Sequence, residues 1–195
     1  NSGIVEAEAG VMLPTLSNSL AKNGLQGGEW AVGIPGTIGG AIYMNAGTGD
    51  LSLANNLISV QVINHKTLEK LEIKKKDINF EYRYSPFQSN DFAIISAKLR
   101  FEPYGNHETI IQTTKNNLKF KTETQPYHLP SFGSVFKNPK NNHAAKLIDD
   151  IGLKGFKVGG AEISTMHSNF IVNTSSASSR DIYELITVIQ QKVLQ

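Results

Sequence analysis

Residues 33–47, GIPGTIGGAIYMNAG, limit the possible folds of this chain more than any other stretch, because five of these fifteen residues are glycine. Glycine lets a backbone approach another group closely and adopt left-handed conformations, but it weakens the interior of a helix or strand. The spacing from Gly33 to Gly40 differs from the G-x-G-x-x-G dinucleotide fingerprint, and the lysine of a G-x-x-x-x-G-K-[ST] phosphate loop is missing. The stretch therefore indicates either close packing or a backbone whose N–H groups face a ligand.

The composition argues against several classes of function. The 195 residues are 39% hydrophobic and carry a formal net charge of +2, and the scattered basic residues indicate no nucleic-acid surface. No apolar run approaches the roughly 20 residues that a membrane-spanning helix needs. The chain has no cysteine, which excludes disulfides and thiolate chemistry and fits a cytoplasmic location. No spacing of His, Asp and Glu predicts a metal site.

Hydrophobic periodicity predicts a strand-rich first half. Alternation predicts a strand at 4–10, and Pro14 is typical of the first turn of the helix that follows. Two runs at 57–64 and 68–75 flank a short turn and predict a hairpin. The clearest strand pattern covers 91–103. Its predicted inward face consists of Ala93, Ile95, Ala97, Leu99 and Phe101.

The second half has a mixed pattern. Helical periodicity covers 107–123, and a second helix is predicted within 141–155. An asparagine is the predicted N-cap of this second helix, and Gly152 lies just past its last turn. A short strand is predicted at 168–173. The last helix follows a capping pattern in which Ser178 and Asp181 are three residues apart. Its apolar stripe, which indicates core packing, consists of Ile182, Leu185, Ile186, Ile189 and Val193.

The change of pattern predicts two domains, residues 1–104 and residues 105–195. The sequence begins without an initiating methionine, and its last residues lie within an amphipathic helical pattern. We therefore expect it to be an excerpt of a longer protein.

A second informative stretch, FEYRYSPFQ at 80–88, surrounds Arg83 with two phenylalanines and two tyrosines. An arginine in such surroundings often stacks on one aromatic ring at the surface. Alternatively, its guanidinium occupies a partly desolvated pocket and binds a carboxylate through two parallel hydrogen bonds. The local pattern leaves both interpretations open.

A third stretch, LPSFGSVFKNP at 129–139, contains Ser134 directly after Gly133, where a tight bend can present the hydroxyl to a cleft. The G-x-S-x-G elbow of a serine hydrolase is absent, because Phe136 stands two positions after the serine. The stretch also fits a buried strand followed by a turn, so its residue types alone do not assign a reaction.

Taken in order, four blocks of this sequence resemble the UDP-N-acetylenolpyruvoylglucosamine reductase family. The blocks are GIPGTIGGAIYMNAG, YRYSPF, SFGSVFKNP and AAKLIDDIGLKGFKVGGAEISTMHSNFIVN, and they are distributed over residues 33–173. The short spacing between the second and third blocks is similar to that of the subclass that lacks an extra tyrosine-bearing loop. The resemblance implies an α+β fold: the second part of a vanillyl-alcohol-oxidase-type FAD-binding domain, followed by an α/β substrate-binding domain truncated at its C-terminal end.

The same resemblance implies a two-step oxidoreductase reaction in peptidoglycan synthesis. NADPH reduces FAD, and the flavin passes a hydride to the methylene carbon of the enolpyruvyl group of UDP-N-acetylglucosamine enolpyruvate. A general acid then protonates the other alkene carbon, which gives the lactyl ether of UDP-N-acetylmuramate. The implied partners are this substrate and NADPH, with no nucleic acid, membrane or obligate protein partner.

The resemblance also implies roles for individual residues. Arg83 matches the family's carboxylate-binding arginine, and Ser134 matches its proton donor. Further substrate contacts are expected from Tyr82, Lys121, Lys137 and Asn138. The expected FAD contacts are Pro35, Gly36, Thr37, Gly39, Gly40, Asn45 and Gly47.

Two parts of the family pattern are not matched within these 195 residues. They are the glycine-rich loop for the FAD pyrophosphate and the catalytic glutamate, which Glu184, within a predicted helix, does not replace. We therefore expect these residues alone to be inactive and the parent protein to be active. The alternatives are another FAD-dependent oxidoreductase of the same fold, a noncatalytic flavin- or nucleotide-sugar-binding fragment, and a structural partner domain.

Overall fold

A computed structural model describes residues 2–194 of the chain. The chain forms two compact units whose boundary lies between Lys119 and Phe120, within a long helix. Each unit contains helices and an antiparallel sheet, as expected of an α+β fold. The domain boundary predicted between residues 104 and 105 stays a prediction.

The first unit consists of a four-stranded sheet, a two-stranded ribbon and several helices. Its strands are β1 (Ile4–Glu8), β2 (Gly47–Thr48), β3 (Leu51–Ser52), β4 (Leu57–Asn64), β5 (Lys70–Lys74) and β6 (Phe92–Arg100). Its helices are α1 (Leu13–Lys22), α2 (Ile38–Met44), α3 (Leu53–Asn56) and the start of α4 (His107–Thr124). The predicted first strand, hairpin and long helix are therefore confirmed.

The main sheet of the first unit has the antiparallel order β1-β6-β4-β5, and β2 pairs with β3 in the ribbon. Helix α2 lies against β1 and β6, so its apolar side chains reach the same core as the sheet. The large side chains with 0–1% exposure at the centre of this core are Leu13, Ile38, Ile42, Val60, Val62 and Leu99. Ile34 and Ala46, near the two ends of the glycine-rich stretch, pack against this core.

The predicted inward face of β6 is correct at its C-terminal end and wrong at its N-terminal end. Ala97 and Leu99 are buried in the core, but Ala93 is exposed and Ile95 is only half-buried. Ile94 packs against the core instead. The pairing of β6 with β4 shifts register in the middle of the strand, and a one-residue shift reverses which side chains face inward.

The second unit packs two helices beside a sheet with the antiparallel order β7-β10-β9-β8. After the end of α4, its elements are β7 (Ser131–Ser134), α5 (Ala144–Asp150), β8 (Lys157–Val158), β9 (Ala161–Ile163), β10 (Phe170–Asn173) and α6 (Ser179–Val193). Its core consists of Ile148, Leu153, Ala161, Ile163, Ile171, Leu185 and Ile189. The predicted strand at 168–173 and the stripe of the last helix are confirmed.

Helix α6 begins as its sequence predicts. The Ser178 hydroxyl accepts from the Asp181 N–H at 3.2 Å, and the Asp181 carboxylate accepts from the Ser178 N–H at 2.9 Å. These bonds, and one from the Gly160 N–H, hold the pKa of Asp181 below its ordinary value.

None of the helices within residues 2–194 is both long and apolar enough to cross a membrane.

Candidate functional site

The glycine-rich segment, residues 33–47, runs antiparallel to the chain that connects β1 to α1. The Leu13 N–H donates to the Gly36 carbonyl at 2.9 Å, and the Ile38 N–H donates to the Val11 carbonyl at 2.8 Å. Thr37 lies within this pairing and also caps α2, because its hydroxyl accepts from the Gly40 N–H at 3.2 Å. The segment therefore starts as a short antiparallel pairing and continues as helix α2.

Close packing explains two of its glycines. A Cβ atom on Gly39 would lie 3.0 Å from the Cβ of Ala9, and one on Gly47 would lie 2.1 Å from the carbonyl oxygen of Leu51. Gly36 has a φ of +133°, a conformation that side chains rarely adopt.

Packing does not explain Gly40. The nearest atom to a Cβ at Gly40 is the Thr37 hydroxyl oxygen at 3.6 Å, and the residue is exposed. Alanine is also the better helix former. Of the glycines in this segment, Gly40 is therefore the one that best indicates a bound ligand as the reason for lacking a side chain.

The N–H groups of the segment are less available than its glycine content suggests. Those of Ile38, Gly39 and Gly40 donate within the protein, to Val11 O, to Ala9 O and to the Thr37 hydroxyl. In the described part of the chain, the N–H groups of Gly36 and Thr37 have no acceptor. Donors for a ligand are therefore concentrated at these two residues.

Arg83 is bound to this segment. Its Nη2 donates to the Gly47 carbonyl at 2.9 Å and its Nη1 to the Asn45 carbonyl at 3.4 Å. The guanidinium carbon lies 4.9 Å from the centroid of the Tyr82 ring, so the arginine also stacks on an aromatic side chain. A guanidinium has five N–H donors, so donors remain for a carboxylate after these two bonds.

The backbone at Arg83 is strained, and neighbouring polar side chains hold it. Arg83 has a φ of +55°, which is uncommon outside glycine and concentrates at functional sites. The Gln88 amide donates to the Arg83 carbonyl at 3.2 Å and to the Tyr43 carbonyl at 2.9 Å. The Ser85 hydroxyl, whose residue is 0% exposed, also donates to the Tyr43 carbonyl at 2.8 Å. Sequence reasoning missed both side chains.

Asn45 connects the two parts of this arrangement. It ends α2 with a φ of 43° and is 8% exposed. Its side-chain amide donates to the Glu81 carbonyl at 2.9 Å, so this predicted FAD contact braces the turn that carries Arg83. The first unit thus brings together Arg83, Tyr82, Asn45 and Gly47.

In the second unit, Ser134 is exposed at the end of β7. The residue before it, Gly133, has a φ of +75°, so the bend that presents the hydroxyl depends on glycine. Lys137 and Asn138 follow in an exposed turn. An apolar cavity of about 210 Å³ lies beside this turn, with Lys137 in its lining.

The turn is tied to the start of α5. The Asn138 side-chain oxygen accepts from the Ala144 N–H at 3.0 Å. The predicted asparagine N-cap of α5 is therefore wrong: the capping residue is His143, whose side chain makes no capping bond. The acceptor comes instead from six residues upstream, which a local capping pattern does not reveal.

Lys121, near the end of α4, contributes to a basic region of the second unit. Burial, followed by the nearby charges of Lys121 and Lys154, holds the pKa of His167 below its ordinary value of 6.5. Lys154 also pairs with Asp149 at 2.8 Å.

Within residues 2–194, no group of three or more His, Asp and Glu side chains is arranged to hold a metal ion.

Models of two protein families match the chain. Residues 1–67 match "FAD binding domain", and residues 125–195 match "UDP-N-acetylenolpyruvoylglucosamine reductase, C-terminal domain". The first match contains the whole glycine-rich segment, and the second contains Ser134, Lys137 and Asn138.

Two similar proteins carry the same name. The chain is 74% identical over its whole length to a UDP-N-acetylenolpyruvoylglucosamine reductase of Prochlorococcus marinus subsp. pastoris, covering 66% of that protein. It is 48% identical, over 98% of its length, to another from P. marinus strain MIT 9313, of which it covers 62%. The chain therefore spans slightly less than two thirds of these relatives.

A solved structure is also similar. The crystal structure of UDP-N-acetylenolpyruvylglucosamine reductase from Thermus caldophilus matches with a TM-score of 0.88 and 34% sequence identity. The match covers 96% of this chain and 68% of that one.

Proposed function

The chain belongs to the UDP-N-acetylenolpyruvoylglucosamine reductase family, and from this premise we propose that the native protein reduces UDP-N-acetylglucosamine enolpyruvate to UDP-N-acetylmuramate. The proposed reductant is NADPH and the proposed cofactor is FAD. The observation that carries the proposal is the 2.9 Å bond from Arg83 to Gly47. It holds a permanent cation beside the segment that matches an FAD-binding domain, where the substrate carboxylate needs a partner.

The glycine-rich segment fits a bound FAD. The exposed side of Gly40 and the N–H groups of Gly36 and Thr37 provide a surface without bulk and with available donors. When bound, FAD reduced by NADPH supplies the hydride for the reaction. The proposed wall of its site consists of Pro35, Gly36, Thr37, Gly39, Gly40, Asn45 and Gly47.

Gly40 offers a test of this wall. We expect Gly40→Ala to raise the free energy of unfolding of the flavin-free protein by roughly 0.5–1 kcal/mol, because alanine loses less entropy in a helix. The same change should weaken FAD binding, because the new methyl group would project from the exposed surface that is proposed to hold the cofactor. Denaturant unfolding and flavin titration measure the two effects.

Gly39→Ala, at another residue of the proposed wall, is a comparison for stability only. It should lower the free energy of unfolding, because its methyl group meets Ala9 at 3.0 Å. If Gly40→Ala stabilises the protein and binds FAD as tightly as the native protein, Gly40 is not part of the wall.

The remaining roles follow from the chemistry of the substrate. Hydride addition to the enolpyruvyl methylene carbon leaves negative charge on the adjacent carbon and its carboxylate. Arg83 binds that carboxylate with its forked donors and stabilises the charge as it develops. Ser134 then donates its hydroxyl proton to the adjacent carbon, which completes the lactyl ether. The proposed further substrate contacts are Tyr82, Lys121, Lys137 and Asn138.

The function is tested by following flavin absorbance in the native protein without oxygen. NADPH should bleach the flavin, and UDP-N-acetylglucosamine enolpyruvate should restore it with formation of the lactyl ether. A flavin that oxygen or another acceptor restores, but this substrate does not, identifies a different oxidoreductase of the same fold. A purified protein that binds no flavin identifies a noncatalytic protein.

Two further expectations remain part of the proposal. Residues 1–195 alone are expected to lack turnover, because the family's catalytic glutamate is not matched among them. A cytoplasmic location is expected from the cysteine-free composition. Assay of the isolated residues and fractionation of cells test these two expectations separately.

A further inference from the structure

Asn169 binds the backbone that directly follows Ser134. The Phe136 N–H donates to the Asn169 side-chain oxygen at 2.9 Å, and the Asn169 side-chain nitrogen donates to the Phe136 carbonyl at 2.9 Å. The Val135 N–H donates to the Asn169 backbone carbonyl, also at 2.9 Å. Asn169 is 4% exposed, so the three bonds are shielded from water.

The Asn169 side chain pairs with the Phe136 backbone at the point where the pairing of β7 with β10 ends. Antiparallel pairing of β7 with β10 joins Ser134 to Phe170, and the Val135–Asn169 bond continues that pairing by one residue. At the next position the pairing partner of Phe136 would be Ser168, whose hydroxyl donates instead to the Ala145 carbonyl. The primary amide of Asn169, with one acceptor and two donors, serves the two backbone groups of Phe136 that the strand no longer reaches.

The two residues that Asn169 binds, Val135 and Phe136, lie between Ser134 and Lys137, which both have proposed roles in the reaction. Val135 and Phe136 are half-buried and pack against the core of the second unit, whereas Ser134 and Lys137 on either side are exposed. The three bonds therefore fix the backbone from which both exposed side chains project. A backbone shift of about 1 Å at a reacting group is enough to cost about a hundredfold in rate.

We propose that Asn169 is a positioning residue that sets the direction of the Ser134 hydroxyl and the Lys137 ammonium toward the substrate. This inference rests on the proposed function, in which these two groups serve the second half-reaction. Asn169 touches neither substrate nor cofactor in this role and acts only through the backbone of residues 135–136.

The test replaces Asn169 by aspartate in the native protein and follows both half-reactions. In its ionised form an aspartate carboxylate accepts from the Phe136 N–H but repels the Phe136 carbonyl. We expect Asn169→Asp to slow flavin reoxidation by the substrate about tenfold to a hundredfold, with little change in flavin reduction by NADPH. When the new carboxyl is protonated it can donate again, so the reoxidation rate should recover as the pH is lowered.

Asn173→Asp is the matched control, at the end of β10, the strand that begins directly after Asn169. The Asn173 side-chain oxygen only accepts, from the Ala177 N–H at 3.0 Å, and aspartate accepts equally well, so neither half-reaction should change. Asn169→Ala is a second variant, which should slow reoxidation without recovery at low pH.

The outcomes separate the inference from the proposed function. If Asn169→Asp reoxidises at the native rate, or loses both half-reactions in parallel at every pH, Asn169 does not position the site. If the native protein itself is not reoxidised by this substrate, the proposed function fails.

Discussion

Replacing Ser134 by alanine is expected to slow reoxidation of the reduced flavin by UDP-N-acetylglucosamine enolpyruvate about 10²–10⁴-fold, the usual contribution of a positioned general acid. Reduction of the flavin by NADPH should continue at nearly the native rate, because that half-reaction needs no proton from this hydroxyl. The exposed position of Ser134 after a glycine bend leaves little structure to disturb. Anaerobic stopped-flow absorbance measures the two half-reactions separately.

Ser131→Ala is the matched control for this change. Ser131 is exposed on the same strand, and its hydroxyl only accepts a 3.3 Å bond from the Gly133 N–H. We expect its loss to change neither half-reaction by more than about twofold, since a weak exposed bond contributes little. Equal slowing of both half-reactions in Ser134→Ala would exclude the serine as proton donor and indicate a general change in the site.

The helices and strands that sequence reasoning predicted correctly depend on local signals. The capping pattern of Ser178 and Asp181 acts within three residues, and both of its hydrogen bonds form as expected. The hairpin of β4 and β5 follows from two apolar runs around a turn. Such features need no information from distant parts of the chain.

The errors arise where distant segments decide the outcome. The inward face of β6 changes because its register with β4 shifts, which the alternation within β6 does not reveal. The start of α5 is satisfied by Asn138, from six residues before it. The role of Asn169 has no local signal in the sequence, because its partner is 33 residues away and a buried asparagine in a strand-like run looks like any other.

The glycine-rich segment shows how far the prediction of the site could go. Composition alone left packing and ligand binding as alternatives, and the structure finds both kinds of position. Gly47 has no room for a side chain and Gly39 is tightly packed, whereas Gly40 has room and is exposed. The bond from Arg83 to Gly47 could not be predicted, because it joins residues 36 positions apart.

Replacing Arg83 by alanine is expected to lower kcat/KM for the enolpyruvyl substrate about 30-fold to a few thousand-fold, corresponding to about 2–5 kcal/mol for a buried carboxylate left without its partner. Alanine keeps a Cβ, so the backbone strain at the φ of +55° is unchanged. Arg83→Lys keeps the charge but not the fork, so it should recover only part of the loss. Flavin content and the rate of reduction by NADPH are measured in the same samples.

Arg100→Ala controls for the loss of one positive charge from the first unit. Arg100 is exposed at the end of β6, where its backbone pairs with Ile4 and accepts from the Asn56 side chain. Its guanidinium makes no hydrogen bond or ion pair within residues 2–194, so substrate kinetics should not change. A fall in kcat/KM confined to Arg83→Ala then reflects the forked contact with the carboxylate rather than a weaker overall field. If Arg83→Ala instead releases FAD and leaves kcat/KM per bound flavin unchanged, the arginine supports the glycine-rich segment through Asn45 and Gly47 and does not bind substrate.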